Sequence, residues 1–281
     1  MNIGIIGLGL IGGSISLGLR KSNFGDKYLG IDSNQENALN AVKLGIVDEI
    51  IPLQDLLLQS SVIILSIPVD GIERILPIIL NKIRNDTVIL DTGSTKYDIC
   101  NRVSFHPKRS RFVATHPIAG IESSGPISAH SDLFYNKNCI FCDSELSAPD
   151  AISMAERIYS TMKMRRIYLT SKEHDFYISY GSHLPHVISF SLANTVLKKF
   201  EKKEDIFKNM MGSGLDSTTR LARSNPETWF PIFISNRKNL IQAIDAYINH
   251  LEIFRNYLKN KEFHKIDQYI KKANDIKKKY V

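Results

Sequence analysis

Two histidine-bearing stretches carry the residue types best suited to chemistry. The first is His116-Pro117-Ile118-Ala119-Gly120, where Thr115-His116-Pro117 ends the short strand expected at Arg111 to Ala114. Imidazole has an unperturbed pKa of about 6.5, closer to neutrality than the other side chains at that end of the chain's strands. It can take the proton of a substrate hydroxyl while hydride leaves the same carbon. The plain alternative is a histidine that only closes the strand end. Ser94, in Asp91-Thr92-Gly93-Ser94-Thr95-Lys96, stands at a neighbouring strand end and could bond the imidazole and orient it. It could equally cap the helix that follows.

The second stretch is Gly181-Ser182-His183-Leu184-Pro185-His186. His183 and His186 are three apart and share one helix face. Pro185 cannot donate to the carbonyl of Gly181, so the helix is loosened there. Two histidines beside such a break suit a substrate pocket at a domain junction, with bonding to the freed carbonyl as the alternative. No HExxH-like spacing appears, and no metal site is expected. Downstream, Gly212-Ser213-Gly214 is a flexible turn leading to Arg220, Arg223 and Arg237. A guanidinium fork matches a carboxylate, so a dianionic substrate would explain at least one of them; ordinary surface ion pairs would explain the rest. Trp229, the single tryptophan, reads as a packing anchor.

These groups need a scaffold, and the first twelve residues announce it. The apolar run Ile3 to Ile6 meets Gly7-Leu8-Gly9-Leu10-Ile11-Gly12, then a helical segment through Lys21. Strand, G-x-G-x-x-G turn and helix form the dinucleotide fingerprint. The helix N-terminus offers N–H groups and a positive dipole end to phosphates. Tyr28-Leu29-Gly30-Ile31-Asp32 then ends in an acid that suits the ribose hydroxyls of NAD, and no Arg or Lys follows within Ser33 to Gln35. Further strands are expected at Glu49 to Ile51, Ser61 to Ser66, Thr87 to Asp91 and Arg111 to Ala114, alternating with helices. Pro77 is expected to bend or end one of those helices. The alternation predicts an α/β fold with a doubly wound parallel sheet of Rossmann type. Ligands in such sheets gather outside the carboxyl ends of the strands. Gly7, Leu8, Gly9, Leu10, Ile11, Gly12, Asp32, Ser66, Pro68 and Asp91 are therefore the expected cofactor-binding residues.

Closing strands are expected at Asn138 to Phe141 and Arg166 to Leu169. From Thr170-Ser171-Lys172-Glu173, a capping-box pattern, the chain reads as helix only, first as one long helix to about Lys199. Leu240, Ile244, Tyr247, Ile248, Leu251, Phe254 and Leu258 form a helical stripe. The expected division is 1–168, an NAD-binding domain, and 169–281, a helical domain.

Bulk properties exclude several classes. At 281 residues, with 43% hydrophobic and 23% charged residues, the chain has room for two globular domains. The formal charge of +7 is spread over runs such as Lys198-Lys199, Lys202-Lys203 and Lys277-Lys278-Lys279, which read as solvated faces without the aromatic interleaving of a nucleic-acid reader. Three cysteines make no disulfide framework, and Cys139-Ile140-Phe141-Cys142 lies in a strand-like stretch, so buried thiols are expected. The chain opens directly into its first strand, and no apolar run reaches the ~20 residues of a membrane helix. A cytoplasmic protein is the expectation.

Taken together, the segments resemble the prephenate/arogenate dehydrogenase family of tyrosine biosynthesis over nearly the whole chain. The resemblance is carried by Gly7-x-Gly9-x-x-Gly12-Gly13-Ser14, Asp91-Thr92-Gly93-Ser94-Thr95-Lys96, His116-Pro117-Ile118-Ala119-Gly120, Ser182-His183-Leu184-Pro185-His186 and Thr219-Arg220-Leu221-Ala222, with Pro226 and Trp229 behind. It implies that His116 bonds the substrate's ring hydroxyl and accepts its proton, with Ser94 orienting it. It also implies that Arg220 holds a substrate carboxylate with His186 nearby, and that the helical domain pairs two copies into a homodimer. Ser213 stands where many members carry glycine, and Leu215-Asp216-Ser217 replaces a commoner Phe-Arg/Lys-Asp, next to the arginine that would read the substrate. The implied activity is NAD-dependent oxidative decarboxylation of prephenate, or of arogenate to give tyrosine directly. Two rivals stand beside it: a β-hydroxyacid dehydrogenase, which would look for a lysine on the interdomain helix, and a non-catalytic dinucleotide sensor.

Overall fold

The computed structural model describes residues 1–119, 123–201 and 204–280. Gly120 of the histidine motif, Lys202-Lys203 and the terminal Val281 lie outside the described residues.

The N-terminal apolar run forms β1 (Asn2–Ile6), and the glycine turn leads into α1 (Leu10–Lys21). The chain then alternates through β2 (Lys27–Ile31), α2 (Gln35–Lys43), β3 (Glu49–Ile50), α3 (Leu53–Gln59), β4 (Val62–Leu65), α4 (Val69–Lys82), β5 (Val88–Asp91) and α5 (Tyr97–Arg102). It continues with β6 (Phe112–Ile118), β7 (Asn138–Cys142), α6 (Pro149–Thr161) and β8 (Arg165–Leu169). The strands make one sheet in the order β3-β2-β1-β4-β5-β6-β7-β8. All pairings are parallel except β6 with β7. The expected doubly wound α/β sheet is present, closed at one side by two strands running against the rest.

Period-two alternation decides which face each strand residue covers. Ile3, Ile5, Val62, Ile64, Val88 and Leu90 join one core, with Ile15 and Leu19 of α1. Ile63, Leu65 and Ile89 join the other, with Ile72, Leu76, Ile79 and Leu80 of α4. Burial on both faces explains why these strands read as unbroken apolar runs. Of the two outcomes expected at Pro77, a bend or an end, the end does not occur: α4 continues to Lys82. Pro77 sits on the partly exposed face, where solvent can satisfy the carbonyl it frees, while Leu76, Ile79 and Leu80 hold the helix on the sheet.

Strand β6 is longer than expected, and His116 lies inside it, paired with Ile140 of β7. Thr115 N–H points to the β5 side, where it donates to Asp91 Oδ1 at 3.0 Å. Pro117 has the same orientation two residues on, but β5 has ended by then. The missing N–H of Pro117 therefore removes no ladder bond.

Beyond β8 the described residues form helices only: α7 (Ser171–Ile178), α8 (Leu184–Phe200), α9 (Glu204–Met210), α10 (Ser213–Thr219), α11 (Pro226–Ser235), α12 (Arg237–Lys259), α13 (Phe263–Ala273) and α14 (Asp275–Tyr280). Thr170 and Glu173 make the expected capping box of α7. The long helix is interrupted by a π-helical stretch, Ser179–His183, just before Pro185. None of the described helices is long and apolar enough to cross a membrane. Cys139 and Cys142 are buried, as expected, and Cys100 is buried too.

Candidate active site

The glycine turn explains itself residue by residue. Gly7 has φ +96°, and a Cβ there would lie 2.2 Å from the Ser66 carbonyl oxygen. At Gly12 a Cβ would lie 2.1 Å from the carbonyl oxygen of Gly7. A Cβ on Gly9 would meet nothing within 4 Å. The fold therefore requires glycine at the first and third positions, while the second faces open space and leaves the backbone approachable. The N-terminus of α1 has no side-chain cap and no acid in its first turn, which leaves its positive end available to a pyrophosphate. Leu10 and Ile11, half-buried, form that first turn. Asp32 accepts from Leu8 N–H at 2.7 Å and from Asn34 N–H at 2.8 Å, so its carboxylate stands beside the turn with acceptor capacity left for ribose hydroxyls. These residues fit NAD. The side chain of Leu8 is fully buried in the core, so that residue has only its backbone to offer a ligand.

Other expected cofactor residues are placed less uniformly. Ser66 is half-buried at the end of β4, and its hydroxyl bonds Thr92 Oγ1 at 3.2 Å. Pro68 is exposed at the N-cap of α4. Asp91 departs from the expectation. Its side chain is fully buried, ion-paired with Lys96 Nζ, and accepts from Gly93 N–H at 2.9 Å and Thr115 N–H at 3.0 Å. That carboxylate organises the strand end and has no face left for a ligand.

Parallel register brings the candidate base to the same end of the sheet. Ile6, Leu65 and Asp91 stand in one row across β1, β4 and β5, and His116 projects beyond that row on β6. Its Nδ1 lies 2.8 Å from Nε2 of His174, whose Nδ1 lies 2.7 Å from Asp175 Oδ1. Asp175 also accepts from Lys96 N–H at 2.8 Å and Tyr97 N–H at 3.0 Å, at the start of α5. Since that carboxylate accepts, His174 Nδ1 donates to it and His174 Nε2 accepts from His116 Nδ1. His116 Nε2 is left with its lone pair. Burial pushes the pKa of His116 well down, and His174, Lys96 and His183 push it further. His174 is lowered by burial too, against the opposing pull of Asp175.

Ser94 does not orient His116 here. It is half-buried on the turn before α5, its hydroxyl has no hydrogen bond among the described residues, and the bond to the imidazole comes from His174. Nor does Ser94 cap α5, whose first N–H groups are held by Asp175 instead. His174 and Asp175 were not among the expected site residues; the available signal was a His-Asp pair directly behind the capping box.

The second histidine pair meets the helical half. Asn236, buried between α11 and α12, donates from Nδ2 to the carbonyl of Asp175 at 2.7 Å and to His183 Nδ1 at 3.2 Å. The remaining ring nitrogen, His183 Nε2, is buried and has no hydrogen-bond partner among the described residues. Burial holds the pKa of His183 down to about 4. A π-helical turn places that ring, a distortion frequent at functional sites. His186 Nδ1 donates to the Ser182 carbonyl at 2.9 Å, and its ring stacks on Trp229 with centroids 3.4 Å apart. Its pKa is lowered by burial, and the nearby positive charge of Arg220 lowers it further. Arg220 is exposed, in the short turn Arg220–Arg223 behind α10. Arg223 takes a surface ion pair with Asp216. Ser213 is exposed on the first turn of α10, and among the described residues no hydrogen bond ties it to the histidines.

The arrangement thus holds a glycine turn with an uncapped helix N-terminus behind it, a buried histidine whose Nε2 has no hydrogen-bond partner among the described residues, and an arginine near His186. Residues 15–168 match the family model described as prephenate dehydrogenase, nucleotide-binding domain, and residues 170–272 match that described as prephenate dehydrogenase, dimerization domain. The chain belongs to the prephenate dehydrogenase family. It is 28% identical to a prephenate dehydrogenase of Bacillus subtilis, over 97% of this chain and 74% of the relative. A crystal structure of prephenate dehydrogenase from A. aeolicus, in complex with hydroxyphenyl propionate and NAD+, superposes with TM-score 0.88 at 28% identity, covering 100% of this chain and 98% of that one. A Synechocystis arogenate dehydrogenase structure superposes with TM-score 0.82 at 27% identity, covering 100% of both chains. As a member of this family the chain is an NAD-dependent oxidoreductase with a Rossmann-type cofactor domain.

Proposed function

We propose that the chain oxidises prephenate with NAD+, releasing the ring carboxylate as CO2 and giving 4-hydroxyphenylpyruvate. In this reading residues 1–168 hold the cofactor, and residues 169–281 hold the substrate and pair as a homodimer in the cytoplasm. Bound NAD+ supplies the hydride acceptor. The carrying observation is the setting of His116: buried, its pKa pushed well down by that burial, with Nδ1 engaged by His174 and Nε2 without a hydrogen-bond partner among the described residues. A base in that state can receive the ring-hydroxyl proton as the carbon–oxygen bond gains double-bond character. Loss of the ring carboxylate is driven by aromatisation, so the task left to the helical half is to hold anions. Arg220 suits one carboxylate, and the bare donor at His183 Nε2 suits a further acceptor on the substrate.

Homodimer formation is supported by the dimerization-domain match. It is also supported by the stripe on α12, where Leu240 is buried while Ile248, Leu251 and Leu258 keep 46%, 51% and 55% of their surface exposed. A second substrate reading, arogenate, draws on the likeness to the Synechocystis arogenate dehydrogenase. Incubation with NAD+ and either prephenate or arogenate, followed by NADH absorbance, tests both. NADH with prephenate supports the first reading, NADH with arogenate alone the second, and NADH with neither contradicts both.

A further inference from the structure

His174 and Asp175 follow one another near the start of α7, outside every motif that suggested the reaction. We propose that His174, backed by Asp175, is a positioning residue for His116, fixing its tautomer and taking up the positive charge that His116 acquires in turnover. This rests on the reading of His116 as the base.

The donor order leaves one solution. Asp175 Oδ1 and Oδ2 accept backbone N–H groups from Lys96 and Tyr97, so the carboxylate can only accept from His174 Nδ1 as well. His174 then presents a bare Nε2, and His116 must donate to it from Nδ1. Capping α5 would need only the carboxylate; it would not need a second imidazole, 1% exposed, seated between Asp175 and His116. Asn236 secures the same turn by donating to the Asp175 carbonyl.

Proton balance gives the second imidazole a task. Converting a ring carbinol and a ring carboxylate into a phenol and CO2 sends one hydride to NAD+ and leaves no proton over. The electron pair of the breaking carbon–carboxylate bond enters the ring, and the hydroxyl proton must be back on oxygen at the end. A base therefore holds that proton briefly and returns it. His116 Nε2 takes it, the Nδ1 proton moves to His174 Nε2, and the charge rests beside the Asp175 carboxylate until the transfers reverse. A buried cation without an anion would be costly. The other charged or titratable groups facing the pair are Lys96 and His183 toward His116, and Lys96, Asp91 and His183 toward His174. Lys96 and Asp91 already pair with each other, which leaves Asp175 as the counter-charge.

Two variants separate positioning from packing. His174→Phe keeps a buried ring but offers no acceptor; His174→Gln keeps an acceptor oxygen that does not titrate near neutrality. With full-length enzyme, we expect His174→Phe to lower kcat about 10²-fold, with the KM for substrate and the Kd for NAD+ moving less than about twofold, and His174→Gln to recover about tenfold of that loss. Nitrogen-15 NMR of the His116 ring, which requires no turnover, should show the Nδ1–H tautomer in wild type and His174→Gln and its loss in His174→Phe. An unchanged tautomer in His174→Phe, or a kcat loss matched by weakened NAD+ binding and not relieved by glutamine, overturns the proposal. If wild type turns over neither prephenate nor arogenate, the reading of the reaction fails, while the tautomer measurement still decides what His174 does.

Discussion

Asp91 and Lys96 form an ion pair with no exposed surface on either side chain. The pair sits under the turn that precedes α5, and Asp91 adds two backbone N–H groups to its partners. Removing the carboxylate strands a buried ammonium and both donors. Asp91→Ala should therefore lose about 3–5 kcal/mol of stability. Lys96→Met, which removes the ammonium and fills its volume, should lose less. The urea midpoints of the two variants check this, and an Asp91→Ala midpoint equal to wild type would contradict it.

Gly7 and Gly9 should separate folding from cofactor binding. At Gly7 the positive φ and the 2.2 Å approach to the Ser66 carbonyl make alanine strained, at a cost of order 1–3 kcal/mol or more. Gly9→Ala adds a methyl to open space, so its melting temperature should stay near wild type. Its Kd for NAD+ should rise about tenfold or more, equivalent to at least ~1.4 kcal/mol. Calorimetric titration with NAD+ beside thermal melts distinguishes the two. Unaltered NAD+ affinity in Gly9→Ala would place the pyrophosphate elsewhere.

Acid should destabilise the chain through its buried histidines. His116, His174, His183 and His186 all have lowered pKa values, with burial the leading cause. The unfolded chain binds protons near pH ~6.5 that the folded chain refuses, so stability falls as pH drops below that value. For His183 the window runs from about 6.5 down to about 4, worth on the order of 3 kcal/mol at its lower end. Denaturant midpoints at neutral pH and at pH ~5 should show the drop. A midpoint that holds or rises with acid would contradict the buried neutral state.

Sequence periodicity carried most of the fold, because strands buried on both faces and glycines at fixed spacing leave local marks. Gly7 and Gly12 are constrained by backbone contacts within sixty residues, and their types reveal it. The Thr170 capping box and the break around Pro185 were equally local. What escaped was set by long-range pairing. Whether His116 bonds Ser94 or His174 depends on where α7 docks, 58 residues along the chain. Asp91 looked like a ligand residue because it ends a strand; only the fold shows Lys96 turned inward to meet it. The length of β6 was hidden for the same reason, since Pro117 reads as a strand breaker until β5 is known to have ended beside it.

The central claim is that His116 is the base, and the most direct measurement is the turnover of His116→Asn with NAD+ and prephenate, run beside arogenate. Asparagine keeps the size and polarity but cannot hold the proton. Turnover on the substrate that wild type uses should fall roughly 10²–10⁴-fold, with NAD+ binding unchanged. Turnover equal to wild type would contradict the account.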